Sequence, residues 1–293
     1  MQRRQFTGAL GAIMTGAGFS AHAQKSLGAD STVTARLKAL ERESGGRLGV
    51  SILDTANGAR WGYRAGERFP MCSTFKLLAA AHILHRVDKG QEQLDRKVIV
   101  KPTDIITHSP TTSQYVGAQG ITIAQLCEAT VTLSDNAAGN LLLESFGGPQ
   151  GLTAYTRSLG DTMTRLDRNE TSLNEATPGD KRDTTTPDAM VSNIQKIALG
   201  TALSEASRKQ MTQWLLDNKT GDTRLRALLP TGWRVGDKTG TGGHGSTNDV
   251  GVFWPPGRAP IVVAAYLTET SRPAARREAI LAKVGELAAS LVA

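Results

Sequence analysis

The sequence predicts an α/β (α+β) fold, in which an antiparallel sheet is flanked by the terminal helices and an all-helical domain is inserted between its strands. Three observations support this. Strand patterns occur only toward the two ends of the chain, helical patterns fill its middle, and helical patterns also precede the first strand and follow the last. The cleft between the two parts is where a functional site is expected.

Residues 1–23 have the pattern of an export signal. Arg3 and Arg4 supply a charged start, a Gly/Ala-rich apolar stretch follows, and Ala21-His22-Ala23 fits a small-x-small cleavage site. The arginine pair also resembles a twin-arginine signal. Because the apolar stretch is too short and too glycine-rich for a membrane span, we expect a periplasmic or secreted protein without a membrane anchor in its mature form.

Residues 24–66 and 219–293 are predicted to form one discontinuous α/β domain. A helical pattern runs over 31–44, and alternating apolar residues on both sides of Asn57-Gly58 predict a β-hairpin. Strand patterns return at 233–238, 250–254 and 261–267, and a helix is predicted over 273–292.

Residues 67–218 are predicted to form the all-helical domain. Thr122 and Gln125 have the spacing of a capping box at a helix start. The exception to the helical pattern is the polar stretch 165–183, which lacks any helical period. A loop of that length inside a folded domain is usually functional.

The composition limits the classes of partner. Removing Arg3 and Arg4 with the signal takes the formal charge from +7 to +5, and the basic residues are scattered among acidic ones. This pattern does not favour nucleic-acid binding. We expect a monomer that acts on small molecules.

The two cysteines, Cys72 and Cys127, are few for an exported protein. Both lie in apolar surroundings, which favours buried thiols, although the sequence leaves a disulfide between them open. A zinc site with His82 and His85 is a weak alternative, because no further ligands cluster near them. We therefore expect neither a metal nor an organic cofactor.

Ser73 and Lys76 are separated by one helical turn, at the start of a run that is apolar on nearly every side. Burial disfavours a charged lysine, and an amine of lowered pKa can take the proton of a neighbouring serine. The pair therefore has the features of an activated nucleophile. The alternative is a serine that caps a helix beside a surface lysine.

Three further motifs follow in order: Ser134-Asp135-Asn136, the segment from Glu170 to Asn174 within the polar loop, and Lys238-Thr239-Gly240 at a strand end. The first also suits a plain helix cap and the last a glycine turn. Two look-alikes are set aside. Lys219-Thr220-Gly221 follows a helical run, and the GxGxxG pattern of 240–245 precedes a strand where a dinucleotide site needs a helix.

Together these four motifs, in this order and spanning nearly the whole mature chain, resemble the class A serine β-lactamases. The resemblance implies hydrolysis of the β-lactam ring of penicillins and cephalosporins through a serine acyl-enzyme, and hence antibiotic resistance. The alternatives are a penicillin-binding D,D-peptidase and a non-catalytic β-lactam sensor, both of which hold their adduct. Glu170 and Asn174 argue against both, since the family uses them to hydrolyse the acyl-enzyme.

The resemblance also assigns roles to residues. Ser73 is the nucleophile, Lys76 or Glu170 the base in acylation, and Ser134 the proton relay to the leaving nitrogen. The catalytic set is Ser73, Lys76, Ser134, Glu170, Asn174 and Lys238. The substrate-binding set is Asn136, Thr239, Gly240, Thr241, Arg224 and His108. Backbone N–H groups of Ser73 and Thr241 are expected to form an oxyanion hole, and an ion pair between Arg168 and Asp183 to close the loop.

Some positions depart from the common family pattern. Thr171 follows Glu170 where proline is common, which puts the usual cis peptide there in doubt. Ala80 and Gly242 stand where some relatives have the cysteine that pairs with the equivalent of Cys127 or of Cys72. We therefore expect neither disulfide, and we do not expect strong carbapenem turnover.

Overall fold

The computed structural model describes residues 20–117 and 119–292, with side chains from Ser31 onward. The helices are α1 (Ser20–Ser44), α2 (Phe75–Asp88), α3 (Ile123–Thr132), α4 (Asn136–Ser145), α5 (Gly148–Ser158), α6 (Pro187–Ile194), α7 (Glu205–Leu216) and α8 (Ala274–Ser290). The strands are β1 (Arg47–Asp54), β2 (Arg60–Tyr63), β3 (Phe69–Pro70), β4 (Lys97–Val98), β5 (Ile121–Thr122), β6 (Thr184–Thr185), β7 (Arg234–Thr241), β8 (Thr247–Trp254) and β9 (Ile261–Thr268). Short 3₁₀ turns cover Cys72–Thr74, Pro102–Asp104, Thr112–Tyr115 and Ser172–Asn174, and a π turn covers Gln195–Leu199.

The predicted export signal lies outside the described residues, except that its last four residues belong to α1. Among the residues that the structure describes, no helix is long and apolar enough to cross a membrane.

Five strands form one antiparallel sheet in the order β2-β1-β9-β8-β7, which confirms the predicted fold class. The predicted hairpin joins β1 to β2. Gly58 sits in its turn with a φ of 77°, a conformation that a residue without a β-carbon adopts freely. Because β7 lies at the sheet edge, its outer side is free to border another part of the molecule.

The two faces of the sheet bury two different cores. Along β9, alternate residues Val263 and Ala265 pack with α1 and α8, whereas Val262 and Ala264 belong to the core shared with the helical part. This alternation follows from the two-residue period of a strand. Helix α6 belongs to the core shared with the helical part, and it contacts β1, β8 and β9 on that face of the sheet. The sheet is therefore covered by helices on both sides.

The segment 67–218 is more mixed than the predicted all-helical domain. Strand β3 pairs with β6, and β4 with β5, each through two residues. Two-residue strands are too short to show a period in the sequence, so they could not be recognised among the surrounding helical patterns. The predicted capping box is present, since Thr122 Oγ1 accepts from Gln125 N–H and Gln125 Oε1 accepts from Thr122 N–H.

Cys72 and Cys127 are both buried and unpaired. Burial raises the pKa of the Cys72 thiol to about 12, so it stays protonated. His82 stacks on Tyr155 at 4.5 Å between ring centroids, which identifies it as a packing residue. Within the described ranges, no three His, Cys, Asp or Glu side chains are placed to hold a metal ion.

Candidate active site

Ser73 lies in the 3₁₀ turn that leads into α2, and Lys76 lies one turn further on. Lys76 Nζ donates to Ser73 Oγ at 3.0 Å, and Lys76 is fully buried. The turn is pressed against β7, because a β-carbon at position 240 would lie 2.7 Å from the carbonyl oxygen of Met71. Gly240 therefore lets the strand edge approach the serine closely.

Lys76 Nζ is surrounded by oxygen atoms. It lies 2.6 Å from Asn136 Oδ1, 2.8 Å from the Ser134 carbonyl oxygen and 3.0 Å from Glu170 Oε1. Burial lowers the pKa of Lys76, while the charge of Glu170 opposes that shift. A lysine whose ammonium form is disfavoured and whose amine touches a serine hydroxyl is suited to accept the proton of that hydroxyl.

Ser134 faces Ser73 from the turn between α3 and α4. Its Oγ lies 3.3 Å from Lys76 Nζ and 3.2 Å from Lys238 Nζ. Burial lowers the pKa of Lys238 well below its usual value, and the nearby charge of Lys76 lowers it further. The two buried amines and the two serine hydroxyls thus form one continuous hydrogen-bonded group.

Asp135 holds this turn in place through hydrogen bonds to its carboxylate. Its carboxylate caps α4 by accepting from the N–H of Ala138, and it also accepts from the N–H groups of Thr111 and Thr112. Asn136 is thereby held with its Nδ2 donating to the carbonyl oxygen of Thr107 at 2.7 Å. The helix-cap interpretation of the motif is therefore correct for Asp135, and its two neighbours enter the site.

Glu170 reaches the same group from the polar loop. Its Oε1 lies 3.3 Å from Ser73 Oγ, and Asn174 Nδ2 donates to its Oε2 at 2.5 Å. The Asn140 side chain makes two hydrogen bonds to the Glu170 backbone: its Oδ1 accepts from the N–H at 2.9 Å, and its Nδ2 donates to the carbonyl oxygen at 3.0 Å. The Glu170–Thr171 peptide is cis, so the doubt raised by the missing proline was unfounded.

The predicted ion pair closes the base of this loop. Arg168 Nε donates to Asp183 Oδ2 at 2.7 Å, and Asp183 is 1% exposed. The other carboxylate oxygen accepts from the backbone N–H groups of Asp167 and Arg168. One buried carboxylate therefore joins the two ends of the segment 165–183.

These groups open into a cleft of about 270 Å³ between the helical part and the edge strand β7. Nine of the twelve predicted site residues line it: Ser73, His108, Ser134, Asn136, Asn174, Arg224, Thr239, Gly240 and Thr241. The other three, Lys76, Glu170 and Lys238, are buried directly behind the lining. The sequence-predicted set is thus brought together in one place.

Arg224 reaches the cleft from the segment between α7 and β7. Its guanidinium donates to the carbonyl oxygens of Gly240 and Asn248 and to Thr241 Oγ1 at 2.8 Å. Glu278 lies 3.3 Å from the same group and was not expected from the sequence. The arrangement places a fixed positive charge at the Thr241 end of the cleft.

The prediction that Lys219-Thr220-Gly221 lies outside the site was wrong for Thr220. The tripeptide does follow a helix, α7, but Thr220 lines the cleft and its Oγ1 lies 2.5 Å from Thr239 Oγ1. Gly221 is needed where it stands, since a β-carbon there would collide with the buried carboxylate of Asp237. Asn140 was also missed, although its spacing of four from Asn136 places both on one face of α4.

A serine nucleophile beside a buried amine, with a carboxylate at hydrogen-bonding distance, defines the class: a serine hydrolase that works through an acyl-enzyme. The family follows from comparison with known proteins. Residues 32–292 match the model of the β-lactamase enzyme family, and the chain belongs to that family.

Individual relatives agree with this assignment. The chain is 46% identical over 255 residues to β-lactamase CTX-M-8 of Citrobacter amalonaticus, with 87% of each chain covered. It is similar to the solved structure of the ancestral (GNCA) class A β-lactamase, with a TM-score of 0.87, 60% identity, and coverage of 88% of this chain and 99% of that one. The putative class A β-lactamase PenP from Rhodopseudomonas palustris gives a TM-score of 0.88 at 56% identity, covering 89% of this chain and 100% of that one.

Proposed function

We propose that this protein hydrolyses penicillins and cephalosporins through an acyl-enzyme on Ser73, and that this activity confers antibiotic resistance. The observation that carries the proposal is the placement of Glu170, whose carboxylate lies 3.3 Å from Ser73 Oγ and is held by Asn174 and Asn140. A carboxylate at that distance serves to deprotonate the water that attacks an ester formed on the serine.

In acylation, Ser73 Oγ attacks the lactam carbonyl and its proton passes to Lys76 or, through a water, to Glu170. Charge then develops on the carbonyl oxygen, and the backbone N–H groups of Ser73 and Thr241 stabilise it. Ser134 delivers its proton to the departing lactam nitrogen and regains one from Lys76, whose Nζ lies 3.3 Å from its Oγ. The carbon–nitrogen bond breaks and the acyl group remains on Ser73.

In deacylation, Glu170 and Asn174 hold a water against the ester and Glu170 takes its proton. The carboxylate of the substrate pairs with the positive end of the cleft, formed by Arg224 with Thr239, Thr241 and Lys238. Asn136 binds the acylamino side chain of the substrate, and His108 lines the cleft entrance. Each role rests on the position of the residue and on the resemblance to the family.

The test separates the two half-reactions. Glu170→Ala is expected to consume about one equivalent of benzylpenicillin and to retain it on Ser73, because acylation proceeds and hydrolysis fails. Mass spectrometry of the intact protein measures the adduct. The matched control is Glu175→Ala, which changes an exposed glutamate of the same loop and should turn over without accumulating an adduct. A fully active, adduct-free Glu170→Ala protein would remove Glu170 from the mechanism.

The unmodified protein distinguishes the hydrolase from the other two functions. With a large excess of benzylpenicillin, loss of the lactam absorbance should continue for many equivalents per protein. A stop after one equivalent would identify a D,D-peptidase or a sensor instead. We expect slow carbapenem turnover, since Gly242 supplies no partner for the Cys72 thiol. We also infer that the protein is exported through its twin-arginine-like signal and acts as a monomer.

A further inference from the structure

A second pocket, of about 180 Å³, lies under the tip of the loop that carries Glu170 and shares no lining residue with the catalytic cleft. We name it the loop-base pocket. Its walls are the loop backbone around 176–180, the ends of β3 and β9, and charged side chains. Five of these are cationic and two are acidic: Arg47, Arg68, Arg168, Lys181 and Arg182, against Asp180 and Glu269.

Both acids in the pocket already have partners. Asp180 accepts from Arg182 at 2.7 Å, and Glu269 accepts from Arg47 at 2.9 Å. In the described ranges, Arg68 and Lys181 have no carboxylate within ion-pair distance. Two cations that line one pocket without a neighbouring carboxylate attract an anion into the space between them.

Arg68 is held in position without using all of its donors. Its NH1 group donates to the carbonyl oxygen of Met163 at 2.7 Å and to Thr184 Oγ1 at 3.0 Å. Its Nε and NH2 groups donate to no atom of the described residues. A guanidinium held through one nitrogen, with the N–H groups of its other two nitrogens free, matches the geometry of a tetrahedral oxyanion.

We propose that the loop-base pocket is a binding site for a phosphate-like oxyanion, held by Arg68 and Lys181. An anion there would connect the tip of the loop, through Lys181, to the body of the protein, through Arg68. Its occupancy should therefore stabilise the segment 176–182. Binding in this pocket does not depend on the proposed hydrolysis and can be tested without any β-lactam.

The test is amide hydrogen exchange of the unmodified protein titrated with inorganic phosphate, with chloride keeping the ionic strength constant. Phosphate is expected to slow exchange across 176–182 in a saturable way. Lys181→Gln should weaken the apparent affinity roughly tenfold, the effect of one lost charge-assisted hydrogen bond. Since Lys181 is exposed and its side chain makes no hydrogen bond or ion pair to another described residue, this variant is expected to fold normally.

The matched control is Lys209→Gln, which removes the same charge from an exposed position on α7 and should leave the affinity unchanged. No saturable protection of 176–182, or equal weakening in both variants, would overturn the proposal. A parallel titration with glycerol phosphate identifies the source. Protection by both ligands supports a site for phosphate esters, and protection by inorganic phosphate alone supports a site for the free anion.

Discussion

The turn that carries Ser73 and the loop that carries Glu170 meet in one cleft, but different interactions hold them. Ser73 precedes a helix whose first seven residues are all buried, and its turn packs against the edge of the sheet. In the segment 165–183, the only buried apolar residues are Leu166 and Leu173. Hydrogen bonds from Asn140 and the ion pair between Arg168 and Asp183 position this loop instead.

This difference suggests how the two half-reactions depend on the fold. Apolar packing is the sum of many small contacts, so removing one polar contact should leave the geometry of the Ser73 turn largely intact. A loop fixed by a few buried polar contacts should lose its geometry when one of these buried contacts is removed, whereas its exposed ion pairs should matter little. Substitutions that remove a buried polar contact are therefore expected to slow deacylation more than acylation.

The largest expected effect comes from Lys76→Met, which keeps the packing of α2 and removes the amine. The rate of adduct formation with benzylpenicillin should fall by about 10²–10⁴, because the serine loses its adjacent proton acceptor. Stopped-flow measurement of acylation checks this, with Lys209→Met as the surface control. Acylation at the unmodified rate would instead identify Glu170 as the base. Acylation and deacylation would then both depend on the loop that carries Glu170.

A smaller effect is expected from Asp183→Asn, which removes the buried charge at the base of the loop. Deacylation should slow roughly 10- to 100-fold through displacement of Glu170, while acylation stays nearly constant. The free energy of unfolding should fall by about 1–3 kcal/mol, since Arg168 loses its buried partner. A burst of one equivalent followed by slow turnover is the expected signature.

The control for this prediction is Asp180→Asn, in the same loop, which breaks the pair of Asp180 with the half-exposed Arg182. It should change the unfolding free energy by less than about 1 kcal/mol and leave both rates intact. If Asp183→Asn slows acylation and deacylation equally, the two halves of the site are not independent.

The smallest effect on catalysis is expected at Asp249, a carboxyl group buried in the sheet beside the site. Asp249 lies on β8 opposite Thr239 of β7, and burial raises its pKa well above the usual 3.8, with a further rise from the charge of Asp237. Below pH 3.8 the folded and unfolded chains both hold this proton. As the pH rises, the unfolded chain releases the proton first, so wild-type stability is progressively lost until the pH passes the folded pKa.

Asp249→Asn removes this loss. Its unfolding free energy relative to wild type should therefore increase as the pH rises above about 4, by about 1.4 kcal/mol for each unit by which the pKa is raised. Denaturant unfolding across that pH range measures the difference. Parallel stability curves for the two proteins would show that the carboxyl ionises normally in the fold.

How much of this site the sequence could predict depends on how local each contact is. Ser73 and Lys76 are one helical turn apart, so their contact follows from spacing alone. Asn140 and Glu170 are 30 residues apart, and no local pattern joins them. Thr220 enters the cleft because the chain after α7 returns beside β7, which spacing cannot show. The five long strands were predictable from their apolar patterns, whereas the two-residue pairings were not.

The position of Ser134 between two lysines has a consequence for the direction of its proton. A hydroxyl group has one O–H and two lone pairs. Lys76 Nζ and Lys238 Nζ can each donate to Ser134 Oγ, which occupies both lone pairs. With both lone pairs occupied, the O–H is the part of the group left for the cleft, which Ser134 lines. Ser134 is thus prepared to act as a donor before any substrate arrives.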